Sequence, residues 1–113
     1  MKGKRIPVPE DGNIFGAVEN PGDYCGPVEG FAVGPKKPDG TYEQIPVRRV
    51  AFILPDRSPT GGHSGVHHCQ EPPHKFTEEP DGTLTIKESI LSYATGSYPQ
   101  WHGYLEKGEW RTA

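Results

Sequence analysis

Proline or glycine stands at about every fourth position of this chain, with 13 prolines and 15 glycines in 113 residues. Proline fixes φ and lacks an amide donor, and glycine loosens the backbone, so long helices are excluded. The density is highest at the start, where residues 1–40 hold 8 glycines and 6 prolines. Apolar residues are scattered there. Residues 1–30 therefore read as an extended Gly/Pro-rich arm with turns. Such an arm either lies over its own domain or grips a neighbour.

From residue 31 onward the pattern is one of strands and hairpins, giving a single small β domain over 31–113. Phe31–Val33 and Tyr42–Ile45 flank a Pro38-Asp39-Gly40 turn. Val47–Leu54 is the most apolar run and the expected central strand. Pro55–Gly65 reads as a turn-rich loop. Lys75–Glu79 and Thr83–Ile86 flank Pro80-Asp81-Gly82, whose residues suit fixed and positive φ. Ser89–Tyr93 reads as a short strand. Trp101–Leu105 and Glu109–Arg111 flank a third turn, with Gly108 at a left-handed position of a three- or four-residue loop. The one helix candidate, Ile86–Ala94, is weakened by Thr, Ser and Ile. The expected fold is mainly β, a small antiparallel sheet or sandwich or a set of zinc-ribbon-like hairpins.

Apolar residues make up only 32% of the chain. The core is accordingly thin, and a metal, a partner or self-assembly would add to its stability. The 11 aromatic residues argue against disorder. A net charge of −3 disfavours a nucleic-acid binder, since the only basic clusters are Lys2, Lys4, Arg5 and Arg48, Arg49. No run approaches the roughly 18–20 apolar residues of a membrane span. The basic opening has no apolar stretch behind it, so a cleavable signal peptide is not expected. A cytoplasmic setting, or a particle assembled there, follows as the expectation. A single Cys25–Cys69 bridge is possible but unsupported in a reducing compartment.

One segment carries candidate chemistry. His63, His67, His68 and His74 fall within twelve residues around Cys69, and His102 follows Trp101. Imidazole and thiolate are the ligands of tetrahedral zinc. On an extended strand His67 and Cys69 share a face and His68 points away. The candidate set is His67, Cys69, His74 and His102, with His63 as a spare. The competing reading is a histidine-rich loop beside a buried Cys acting as a small hydrophobe. Because neighbours on a strand point apart, His68 is a poor base for a Cys69 nucleophile. A zinc hydrolase would need a general base such as Glu71 or Glu79, and no H-E-x-x-H pattern is present. Phosphate-binding loops and nucleophile elbows are also absent.

The aromatic residues offer a second kind of site. Tyr98, Trp101, Tyr104 and Trp110 near the end, with Phe15 and Tyr24 in the arm, are candidate partner-binding residues. Each could instead be core. In Trp101–Leu105, alternation puts Trp101, Gly103 and Leu105 on one face, and His102 and Tyr104 on the other.

Thr85-Ile86-Lys87-Glu88-Ser89-Ile90, Trp101-His102-Gly103-Tyr104 and the Lys107-Gly108 turn resemble segments of a family of small phage-encoded proteins of unknown function. Some members carry the label ammonia monooxygenase. The likeness runs from about Val47 to the end. It implies a zinc-ribbon-like β fold and a phage accessory role in the host cytoplasm or on the virion. The family's paired cysteines would fall near Leu54–Arg57 and are missing, and Trp101 replaces its cysteine before the histidine. Together these readings lead to a non-enzymatic protein-binding module, with or without bound zinc. A virion structural or decoration protein is the alternative. A zinc-dependent hydrolase or small-molecule sequestering protein is the third.

Overall fold

The computed structural model describes residues 1–55, 65–93 and 100–113. It is all β among those residues. Strands β1 (Lys4–Ile6), β2 (Asp23–Lys36), β3 (Tyr42–Phe52) and β4 (His67–Glu71) form one sheet in that order. Strands β5 (Phe76–Glu78), β6 (Leu84–Ser92), β7 (Trp101–Glu106) and β8 (Glu109–Thr112) form the other. All pairings are antiparallel except β1 on β2. The mainly β reading thus holds. The Ile86–Ala94 segment is strand through Ser92, broken by a bulge where Glu88 takes a positive φ of 68°.

Strand β3 explains the arrangement. Its C-terminal end and the two residues after it, Val50 to Leu54, show no polar alternation, because both faces are buried there. Val50, Phe52 and the following Leu54 enter a cluster with Tyr24 and Cys69 of the first sheet and with Leu84, Ile86, Leu105 and Trp110 of the second. That cluster is the interior of a two-sheet sandwich. Ala51 and the following Ile53 face the opposite way, onto Cys25, Ile14 and Val18. The loop between β1 and β2 therefore covers the outer face of the first sheet. Each large side chain fully buried in this way stabilises by about 1.5–3 kcal/mol.

Residues 1–30 are not a separate arm. Tyr24 is 1% exposed and Cys25 is fully buried. The segment also contains β1 and the first half of β2, so the arm lies over its own core and the boundary at residue 30 falls inside a strand. The first six residues join the two sheets. Met1 and Gly3 hydrogen-bond to the β7–β8 hairpin: the Trp110 amide donates to the Met1 carbonyl at 2.8 Å, and the Gly3 amide to the Gly108 carbonyl at 2.7 Å. Residues 4–6 then pair with β2. Arg5 donates to the carbonyls of Gly82 and Gly26, each at 2.9 Å, and pairs with Glu78. On the opposite edge the chain turns from β4 into β5.

The Lys107-Gly108 turn is a two-residue loop, shorter than expected, with Glu106 paired to Glu109. Both central residues have positive φ, as a type I′ turn requires.

A side chain at Gly3 has no room. A Cβ there would lie 2.7 Å from the Gly22 carbonyl and 2.8 Å from the Trp110 indole nitrogen. Gly3→Val is expected to cost about 1–3 kcal/mol, the usual penalty of overpacking. Urea denaturation followed by tryptophan fluorescence checks this, since Trp110 sits at the junction.

Candidate functional site

The β2–β3 hairpin is much longer than the sandwich needs. β1 pairs with β2 only at Asp23–Cys25, and β4 pairs with β3 only at Arg48–Phe52. The rest of the hairpin, Gly30 to Lys36 paired with Val47 to Tyr42, is a two-stranded ribbon beyond the sandwich. From Val28 to its tip it runs roughly 25 Å at the strand rise. The Cα radius of gyration reflects this, 15.2 Å against about 13 Å for a compact domain of this length.

The ribbon's sequence alternates with period two. Gly30, Ala32 and Gly34 are small and half-buried, partly under Ile45 and Arg49. Glu29, Phe31 and Val33 are exposed on the other face, which continues the sandwich interior outward. Phe31 is 61% exposed and Val33 78%. Their cross-strand partners on the same face are Pro46 and Gln44. At the root of this face lies an open cleft of about 460 Å³, lined by Glu29, Phe31, Pro46, Arg48, Glu71 and Pro72. Tyr42 adds further exposed apolar surface to this face near the tip, while Ile45 lies on the opposite face beside Ala32.

The root is rigidly built. Glu71 accepts from Arg48 Nε at 2.8 Å and from the Phe76 amide at 2.7 Å. The Arg48 guanidinium lies 5.8 Å above the Phe76 ring. The Phe76 amide, with Arg48 beside it, holds the Glu71 carboxyl below its ordinary value, against the opposing effect of burial. The ribbon's edges, in contrast, are blunted. Arg49 Nη2 donates to the Phe31 carbonyl at 3.0 Å on the outer edge of β2, and Pro35 and Pro46 lack amide donors. Such devices suppress strand addition. The ribbon thus leaves a face open rather than an edge.

The sequence candidates are placed differently. Trp101, Trp110 and Tyr24 are core residues at 7%, 3% and 1% exposure, so they are not contact surface. Aromatic rings fill this thin core, with Trp101 edge-on to Trp110 at 5.7 Å. Tyr104 is 41% exposed beside His102 on the outer face of the second sheet, as the alternation of Trp101–Leu105 requires. Phe15 is 43% exposed and meets His68 edge-on. Tyr98 and His63 lie outside the described residues.

The metal candidates among the described residues do not converge. Among the described residues, no group of three or more His, Cys, Asp or Glu side chains is placed to hold a metal ion. His67 and Cys69 do share the sandwich-facing side of β4, where His67 stacks on Phe52. Cys69 points into an apolar cluster, and burial pushes its thiol up to about 12. His74 Nε2 lies 3.3 Å from the Ser89 carbonyl, and His102 faces outward from the other sheet. A thiolate ligand or nucleophile at Cys69 is disfavoured by that burial. Cys25 is likewise buried, and burial raises its thiol pKa. The two cysteines are free, not bridged.

The exposed apolar residues of the ribbon that the sequence candidates did not include are Phe31 and Val33. The alternation of small and large residues across Gly30–Gly34 was the available signal. Comparison with protein-family models, curated proteins and solved structures finds no match to this chain.

Two outcomes follow. Both cysteines are expected to resist a thiol reagent at pH 7 in the native protein and to react fully in denaturant; rapid native labelling of Cys69 would contradict its placement. Because the Glu71 pKa is lowered on folding, its stabilisation is present above the unfolded carboxylate range and lost as pH falls. Glu71→Gln should therefore destabilise at pH 7, and the gap to wild type should close as pH drops from about 5 to about 3. Melting curves across that range test this.

Proposed function

We propose that this chain is a non-enzymatic protein-binding module that meets its partner through the open face of the β2–β3 ribbon. The observation that carries this reading is the pair Phe31 and Val33, largely exposed on a projecting ribbon and adjoining a cleft of about 460 Å³. Apolar side chains held out in solvent, next to a cleft with a polar rim, are the ordinary anatomy of a contact surface. The buried, poorly ionised thiols support the non-enzymatic half of the reading. On the resemblance drawn from the sequence from about Val47 onward, we place this module as a phage accessory protein in an infected cell. A structural role on the particle is the second reading, and the projecting ribbon favours it, since such elements reach neighbouring subunits.

A photo-crosslinking amino acid placed at position 33 tests the proposal in cells where the chain is natively made. A covalent protein adduct is expected from position 33, and none from position 106, an exposed site at the far hairpin. No adduct from position 33 or 31 would overturn it.

A further inference from the structure

We infer that the partner seated on the ribbon face is a second copy of this chain, related by a two-fold axis near Ala32 and Val33. The inference rests on the ribbon being a contact surface. It follows from how charge and apolar surface are distributed along the face. Glu29 stands at the root and Lys36 at the tip, and the register shift between Val33 and Lys36 sets Lys36 opposite Tyr42, on the same face as Glu29, Phe31 and Val33. Neither forms an ion pair among the described residues. When two ribbons lie face to face and antiparallel, residue i of one meets residue j of the other, and j meets i. Lys36 of each copy then lies over Glu29 of the other. The apolar positions match as well. Val33, towards the tip, meets the Phe31–Pro46 stretch that borders the partner's cleft. A face complementary to its own reverse at both the charged ends and the apolar centre is what a two-fold interface requires.

The alternatives within self-association are weaker on the same observations. Edge-to-edge pairing through β2 would have to displace the Arg49 contact to the Phe31 carbonyl and would meet Pro35, which has no amide to donate. The outer face of the second sheet exposes Leu91, Tyr93 and Tyr104, but nothing in the structure says what covers it. An isolated two-stranded ribbon is also marginal by itself, and a second ribbon across its open face would stabilise it.

Sedimentation velocity over a wide concentration range, on the full chain, tests the inference. The wild type is expected to move from monomer to dimer as concentration rises. Val33→Asp, at a residue 78% exposed, should abolish the dimer while leaving thermal melting of the monomer unchanged. Glu29→Lys and Lys36→Glu should each weaken the dimer by about tenfold or more, because symmetry makes each reversal act twice. The two together should restore it, since each new lysine again faces a new glutamate. A wild type that stays monomeric throughout would overturn the inference. A cross-link from position 33 to a different protein would then leave the ribbon's binding role standing, and no cross-link would sink both. A dimer indifferent to Val33→Asp would overturn the choice of face. A dimer lost in both single reversals and not regained in the double would overturn the antiparallel arrangement.

Discussion

Strand β3 is buried on both faces at one end and on neither at the other, and the rest of the molecule follows from that asymmetry. At its C-terminal half, Val50 and Phe52 close the sandwich while Ala51 holds the covering loop. At its N-terminal half, Tyr42 to Pro46 have only β2 beside them, and all five residues are exposed. A chain this short cannot cover eleven strand residues on both sides with a thin apolar inventory. It concentrates its core at one end and leaves a ribbon projecting from the other. Two tethers make that economy stable. One is the first six residues, which bridge the sheets past the Trp110 indole. The other is the Arg48–Glu71–Phe76 corner, which fixes the place where the ribbon leaves.

Much of the fold was legible in local patterns. The Pro-Asp-Gly turns at 38–40 and 80–82 were readable because their chemistry is local. Asp39 and Asp81 each accept from the amide and hydroxyl of the threonine two residues on. The faces of Trp101–Leu105 were readable because strand alternation is strict. VRRVAFIL marked the central strand through its unbroken hydrophobicity. The first thirty residues were not legible. Their pairings are with residues far along the chain, Lys4 with Asp23 and Gly3 with Gly108, and no periodicity announces a three-residue strand. Of β2 only Phe31–Val33 was legible, as one side of the hairpin with Tyr42–Ile45; its earlier part was hidden by Gly26, Pro27 and Gly30, and its end by Gly34 and Pro35, which normally break strands. Here Gly26 takes a positive φ at a bulge, and Pro35 sits near the tip beyond the sandwich.

The described histidines and Cys69 are not brought together, for a related reason. Closeness in sequence is not convergence in a pleated strand. His67 and Cys69 face the sandwich, His68 faces away, and His74 lies beyond the corner, so a dense histidine tract is spread over opposite sides of a sheet. The tryptophans misled in the opposite sense. In a thin core large aromatic rings are needed as filling, and Trp101 and Trp110 perform that task. The exposed apolar residues turned out to be Phe31 and Val33, whose alternation with glycine and alanine looked like a weak strand.

The central claim is that a second copy of this chain covers the ribbon face. Hydrogen exchange of the backbone amides in residues 28–36 and 42–47, measured at low and at high protein concentration, addresses it most directly. Rapid exchange is expected in the dilute protein and strong protection in the concentrated one, with the amides of Val50 to Phe52 protected in both. Equally rapid exchange of the ribbon at every concentration would contradict it.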